Sequence, residues 1–145
     1  MKDFEILSHT ADFKLKVYGQ SLKELFRNAL EGMFQSIHPS IALCVGVNDR
    51  VVCDDLPKMH TIVIEAINIE VLLIDFLSEA LTLSDIYNEA YLDVDIQELS
   101  DKHIKAILKG IPIEGFEEEI KAVTYHDLKI KKTDKGYETV ILFDI

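Results

Sequence analysis

Tyr137-Glu138-Thr139-Val140-Ile141-Leu142-Phe143-Asp144-Ile145, at the end of the 145-residue sequence, is the stretch that decides the fold. Read with the two-residue period of a strand, one face carries Tyr137, Thr139, Ile141, Phe143 and Ile145, and the other carries Glu138, Val140, Leu142 and Asp144. Both faces are mostly apolar. A strand apolar on both sides is central and covered by helices or a second layer, so an α+β domain is expected. Residues 127–132, with Thr133-Asp134-Lys135-Gly136 as a turn, read as its hairpin partner.

Working outward, Phe4 and Ile6 begin a strand, and Phe13, Leu15 and Val17 alternate with Lys14, Lys16 and Tyr18 in another. The polar stretch Leu7-Ser8-His9-Thr10-Ala11-Asp12 reads as their connection. At Ser21 the period changes to that of a helix. Leu22, Leu25, Phe26, Ala29, Leu30, Met33, Phe34 and Ile37 share one face, Ser21 and Glu24 form a capping box, and Pro39 ends the element. A second amphipathic helix follows Asn68, with Ile69, Leu72, Leu73, Phe76, Ala80 and Leu81 on one face, and is expected to pack beside the first. Residues 89–99 and 103–108 form a hairpin turned at Ser100-Asp101. Residues 41–53 and 62–66 supply further strands around a turn at Asp54-Asp55-Leu56-Pro57. The expectation is a single domain over residues 1–145, with a mixed or antiparallel sheet packed against two main amphipathic helices. Residues 40–115 are a candidate inserted lobe.

Fifteen basic against 26 acidic residues leave a formal charge of −11, which repels nucleic acid and anionic lipid. Arg27 and Arg50 are the only arginines, so direct sequence-specific reading of nucleic acid is not expected. The longest stretch without a charged side chain, Gly32 to Asn48, contains Gln35, Ser36, His38, Pro39 and Ser40 and is too polar to cross a membrane. The start, Met1-Lys2-Asp3-Phe4-Glu5, has no apolar leader, so the cytoplasm is the expected location. Cys44 and Cys53 form no C-x-x-C pair, and a chain this long builds a core without staples. Both read as reduced packing residues.

Chemistry is concentrated at the two ends of the sequence. Asp144 stands beside the carboxylate of the terminal Ile145, and two such charges repel unless a raised pKa, a neighbouring cation or a bound metal offsets them. A solvated acid at a strand end is the plainer alternative. In His9-Thr10-Ala11-Asp12, Asp12 suits a hard cation, although Thr10 and Asp12 also suit turn capping with His9 packed nearby. Tyr125-His126-Asp127, read as strand, would point His126 and Asp127 to opposite faces and prevent their pairing. No phosphate-binding, dinucleotide, nucleophile-elbow or zinc-protease motif occurs.

His9-Thr10-Ala11-Asp12 with Tyr18-Gly19 and Leu22, then Ile120-Lys121-Ala122-Val123-Thr124-Tyr125-His126, Gly136-Tyr137 and Phe143-Asp144-Ile145, resemble the archease family from end to end. Phe76, where a tryptophan is expected, and Gly115-Phe116-Glu117-Glu118 depart from its pattern. The resemblance implies a non-catalytic accessory protein of an RtcB-type RNA ligase in tRNA splicing and RNA repair. Such a protein promotes ligase guanylylation and turnover and broadens nucleotide use; a chaperone-like role is also implied. Carried over by motif, Asp12, Asp144 and the carboxylate of Ile145 would bind a divalent cation, calcium first and magnesium or manganese next. His9 and His126 would orient these ligands. Two competing expectations are an independent metal-dependent phosphoester hydrolase using His9, Asp12, His126 and Asp144, and a general protein chaperone.

Overall fold

The computed structural model describes residues 2–9, 12–42 and 44–145, apart from the side chains of Ser8 and His9. Its order begins β1 (Phe4–His9), β2 (Asp12–Gly19), α1 (Leu22–Ser36), β3 (Pro39–Ser40), β4 (Val45–Val47), β5 (Arg50–Val52) and β6 (Lys58–Glu65). It continues α2 (Ile69–Tyr87), β7 (Glu89–Leu99), β8 (His103–Pro112), β9 (Gly115–Phe116), β10 (Ala122–Val123), β11 (Lys131–Thr133) and β12 (Gly136–Asp144). Among the described residues, one five-stranded sheet runs β1-β2-β12-β10, with β11 also on β12, and a three-stranded sheet runs β6-β8-β7. The described pairings are antiparallel. This is an α+β fold.

The helices begin where their caps dictate. Ser21 Oγ accepts from the Glu24 N–H at 3.1 Å, and Asn68 Oδ1 accepts from the Val71 N–H at 2.9 Å, each satisfying a donor that the first helical turn leaves free. Asn88 closes α2 in the left-handed conformation. The inward face of α1, from Leu25 to Phe34, packs on β2 and β7, and Phe26 meets Phe76 of α2 with ring centres 5.6 Å apart. The helices therefore lie beside one another. Leu72, Leu73, Phe76, Leu77 and Ala80 of α2 join Ile104, Ala106 and Leu108 of β8 in one hydrophobic cluster that also includes Phe13, Leu15, Ile141 and Phe143. Since that cluster spans both sheets, residues 40–115 share the core of the chain ends.

A buried polar group fastens the second sheet. Glu89 Oε1 accepts from the Tyr91 hydroxyl at 2.8 Å and meets His60 Nε2 at 2.7 Å, while the His60 ring stacks on Tyr87. Burial first, and then the Glu89 carboxylate, hold the Tyr91 hydroxyl far above the ordinary tyrosine pKa.

Four expectations need correction. First, β12 is covered on one face only. Thr139, Ile141 and Phe143 are buried, whereas Val140 is 38% exposed opposite Lys16, whose aliphatic stem can shield it. Second, Leu7, Ser8 and His9 continue β1 through a register irregularity between Ile6 and Ser8, so the connection is shorter than the polarity of those residues suggests. Third, only Lys131 and Lys132 of the 127–132 segment pair as strand, joined by Thr133 from the expected turn, and Asp127, at φ 50°, belongs to a turn of its own.

Fourth, Cys44 and Cys53 form a disulfide. The β4–β5 hairpin turns at Asn48-Asp49, with φ of 51° and 63°, and pairs Val45 with Val52. The cysteines just outside that pair face each other, with Cα atoms 4.6 Å apart.

The rings of Phe13 and Phe143 stack at 4.8 Å between centres and are fully buried. Phe143→Ala is expected to cost about 3–5 kcal/mol of folding free energy, the range for emptying a buried phenylalanine site. Urea unfolding followed by circular dichroism measures this, and a loss below about 1 kcal/mol would contradict the packing described.

Candidate functional site

The register of β2 against β12 builds the site. Phe143 is the partner of Phe13, and one step outward Asp144 is the partner of Asp12. Because side chains alternate, the buried stack of Phe13 and Phe143 sends both aspartates to the opposite face of the sheet, side by side. Asp12 is half-buried and Asp144 exposed. On the far side of β12, Ala122 pairs with Asp144, and the Lys121 N–H donates to the Asp144 carbonyl at 2.7 Å. At Asp144, β12 is thus flanked on one side by β2 and bonded on the other to residues 121–122, which holds this strand end against the protein body.

Among the described residues, neither aspartate side chain has an ion-pair or hydrogen-bond partner. Like charges directly opposed across a ladder destabilise it, and two carboxylates about 4 Å apart repel by about 1 kcal/mol even in water. A cation would relieve this. The same face continues from Asp12 to Lys14, Lys16 and Tyr18. Lys16 Nζ lies 3.4 Å from Glu138 and 5.4 Å from the centre of the Tyr18 ring; Tyr18 and then Glu138 keep its pKa above the ordinary lysine value. Sequence reasoning passed over Lys14 and Lys16. The signal was present in the two-residue period, which puts them in line with Asp12.

The other candidate residues fall as follows. Ile145 lies just beyond β12, partly buried against the core. The backbone of His9 pairs with Phe13, beside Asp12, while its side chain and the whole of Thr10 and Ala11 lie outside the described residues, including the turn-capping role considered for Thr10. His126 and Asp127 do meet, Nε2 to Oδ2 at 3.2 Å, correcting the expectation of opposite faces. The cause is the turn at Asp127, which puts neighbouring side chains on one side. Both are exposed, and the adjoining Tyr125 hydroxyl donates to Asp75 of α2. Among the described residues, no group of three or more His, Cys, Asp or Glu side chains is placed to hold a metal ion.

Fold and site define a class of small α+β protein in which distant parts of the chain meet to present two carboxylates at the end of two central strands. Residues 4–145 match the Archease protein family (MTH1598/TM1083), and the chain belongs to this family. It is 35% identical to the protein archease of Methanosarcina acetivorans, covering 99% of this chain and 97% of that protein. It is 30% identical to that of Archaeoglobus fulgidus, covering 98% of each. The solution structure of Methanobacterium thermoautotrophicum protein 1598 matches all of both chains at a TM-score of 0.67 and 28% identity. The crystal structure of an archease from Thermotoga maritima, described as a "possible chaperone", matches at 0.62 and 21% identity over 96% of this chain and 94% of that one. No described helix is long and apolar enough to cross a membrane.

Asp144→Asn keeps the side-chain shape and removes one of the opposed charges. In low-salt buffer with a chelator it is expected to raise stability by about 0.2–1 kcal/mol, the usual size of a cross-strand pair. Thermal unfolding measures this, and a lowered melting temperature would contradict the repulsion.

Proposed function

We propose that this archease activates an RtcB-type RNA ligase, promoting its guanylylation and multiple turnover in tRNA splicing and RNA repair, without joining RNA itself. The observation that carries the reading is the Asp12–Asp144 register pair, found in a chain whose family match runs from residue 4 to residue 145. In this reading Asp12, Asp144 and the carboxylate of Ile145 hold a divalent cation, with His9 and His126 orienting them. The donor set fits calcium, and magnesium or manganese next, because carboxylate oxygens are hard ligands and no thiolate or imidazole is required. The cation would supply positive charge for a nucleotide triphosphate. The residues of this chain would hold that charge at an edge open to a partner, and the net charge of −11 would steer the protein toward a basic ligase surface. The reading also favours other nucleotides being accepted beside GTP.

The proposed setting is the cytoplasm, where Cys44–Cys53 would persist only if it resists the reducing thiol pool. A chaperone is the second reading. It draws on the wording attached to the Thermotoga maritima protein and on the exposed Met59, Val63 and Ile67 along and just after β6.

Multiple-turnover RNA joining by a cognate ligase with GTP is expected to rise when this protein is added. Asp12→Ala and Asp144→Ala should each remove most of the gain while leaving the circular dichroism spectrum unchanged, and a short extension beyond Ile145 should reduce it. Absence of stimulation by the unmodified protein would overturn the reading. Hydrolysis of phosphoesters by the protein alone, lost in the same variants, would replace it with an enzyme. Suppression of aggregation of unrelated proteins, unaffected by those variants, would replace it with the chaperone.

A further inference from the structure

Away from the carboxylate edge, a groove of about 720 Å³ lies between the C-terminal half of α2 and residues 113–123. Its lining mixes Ser78, Thr82, Ser84 and Asn88 with an apolar set and an exposed acidic set. Leu81, Ile113, Phe116 and Val123 supply apolar surface, and Ile86 stands 63% exposed at the rim. Asp85, Glu117 and Glu119 are exposed on the same rim, and none has an ion-pair partner among the described residues. Among the described residues, Lys121 is the only basic one in the lining, so the rim is strongly negative.

We infer that this groove is a docking site for a basic amphipathic helix of a partner protein, with apolar side chains seated on Leu81, Phe116 and Val123 and lysines or arginines meeting Asp85, Glu117 and Glu119. Charge complementarity selects the occupant. Nucleic acid and anionic lipid are repelled by the rim, and a purely apolar helix would leave three carboxylates facing it without counter-charge. An amphipathic helix presents apolar residues at i, i+3, i+4 and i+7 with cations flanking them, which is the pattern this lining complements. The site also has a direction. Residues 113–123 run into Lys121 and Ala122, which are hydrogen-bonded and paired to Asp144, so a docked helix would end near the carboxylate edge. The inference stands whether or not that edge serves a ligase.

The test titrates the intact protein with a fluorescein-labelled 18-residue peptide of leucine and lysine in helical spacing. Anisotropy reports binding, and backbone amide shifts locate it. Saturable one-to-one binding is expected, with shifts concentrated in residues 78–88 and 113–123 and affinity falling as salt screens the rim. Glu117→Lys with Glu119→Lys should weaken binding at least about tenfold, equivalent to 1.4 kcal/mol. Asp101→Lys with Asp134→Lys, the same change of charge placed on two turns, should leave it within about twofold; thermal melts confirm that each variant is folded, and Glu117→Gln with Glu119→Gln replaces the reversal if it is not. The inference is overturned by equal weakening in the two reversed pairs, by shifts centred elsewhere, or by absence of binding. It is also overturned if a lysine–serine peptide of equal charge binds as tightly, since bare charge would then suffice.

Discussion

The antiparallel ladder between β2 and β12 is the constraint on which the molecule depends. It joins residues 12–19 to residues 137–144 and places both strands at the centre of the larger sheet. Closing so long a loop costs chain entropy that local contacts cannot return. The compensation comes from the inward faces, where Phe13, Leu15, Val17, Ile141 and Phe143 are buried beneath α1 and the rings of Phe13 and Phe143 stack. A one-residue slip would turn every one of these side chains to solvent, so the register is fixed by burial. The position of the two aspartates follows from that register. Neither needs attraction to the other, and their repulsion is carried by the packing underneath.

The same constraint explains the asymmetry of the sheet. Its inner face is closed by α1, whereas its outer face presents Asp12 and Asp144 at one end and Lys14, Lys16 and Glu138 farther along. The second sheet and α2 complete the core around Phe26 and Phe76, and α2 also supports residues 124–130. There the Tyr125 hydroxyl donates to Asp75, and Glu70 accepts from the Ile130 N–H. Thus the segment that follows the strand beside Asp144 is supported by a helix whose opposite end borders the acidic groove.

How much of this was legible depended on whether the signal was local. The helix from Leu22 could be read because its apolar spacing, its Ser21 cap and its stop before Pro39 all lie within one window of sequence. Phe76, unusual beside the family pattern, still fills the buried place against Phe26. The disulfide was missed because the absence of C-x-x-C was weighed, and the hairpin made by Val45, Asn48-Asp49 and Val52 was not; that turn is what brings the cysteines together. The turn at Asp127 was missed because a positive φ at an aspartate leaves little trace in polarity. For the candidate site, the sequence pointed to two ends rich in carboxylates, and the β2–β12 register supplies their adjacency. The outer face of β12 was misjudged because Val140 and Leu142 look buried by composition, and only a three-dimensional neighbour decides whether anything covers them.

The most direct measurement is a calcium titration of the chelator-treated protein followed by backbone amide shifts. The account predicts saturable one-to-one binding with the largest shifts at Asp12, Ala122, Asp144 and Ile145, abolished in Asp12→Asn. Failure to saturate, or shifts centred away from the β2–β12 edge, would contradict it.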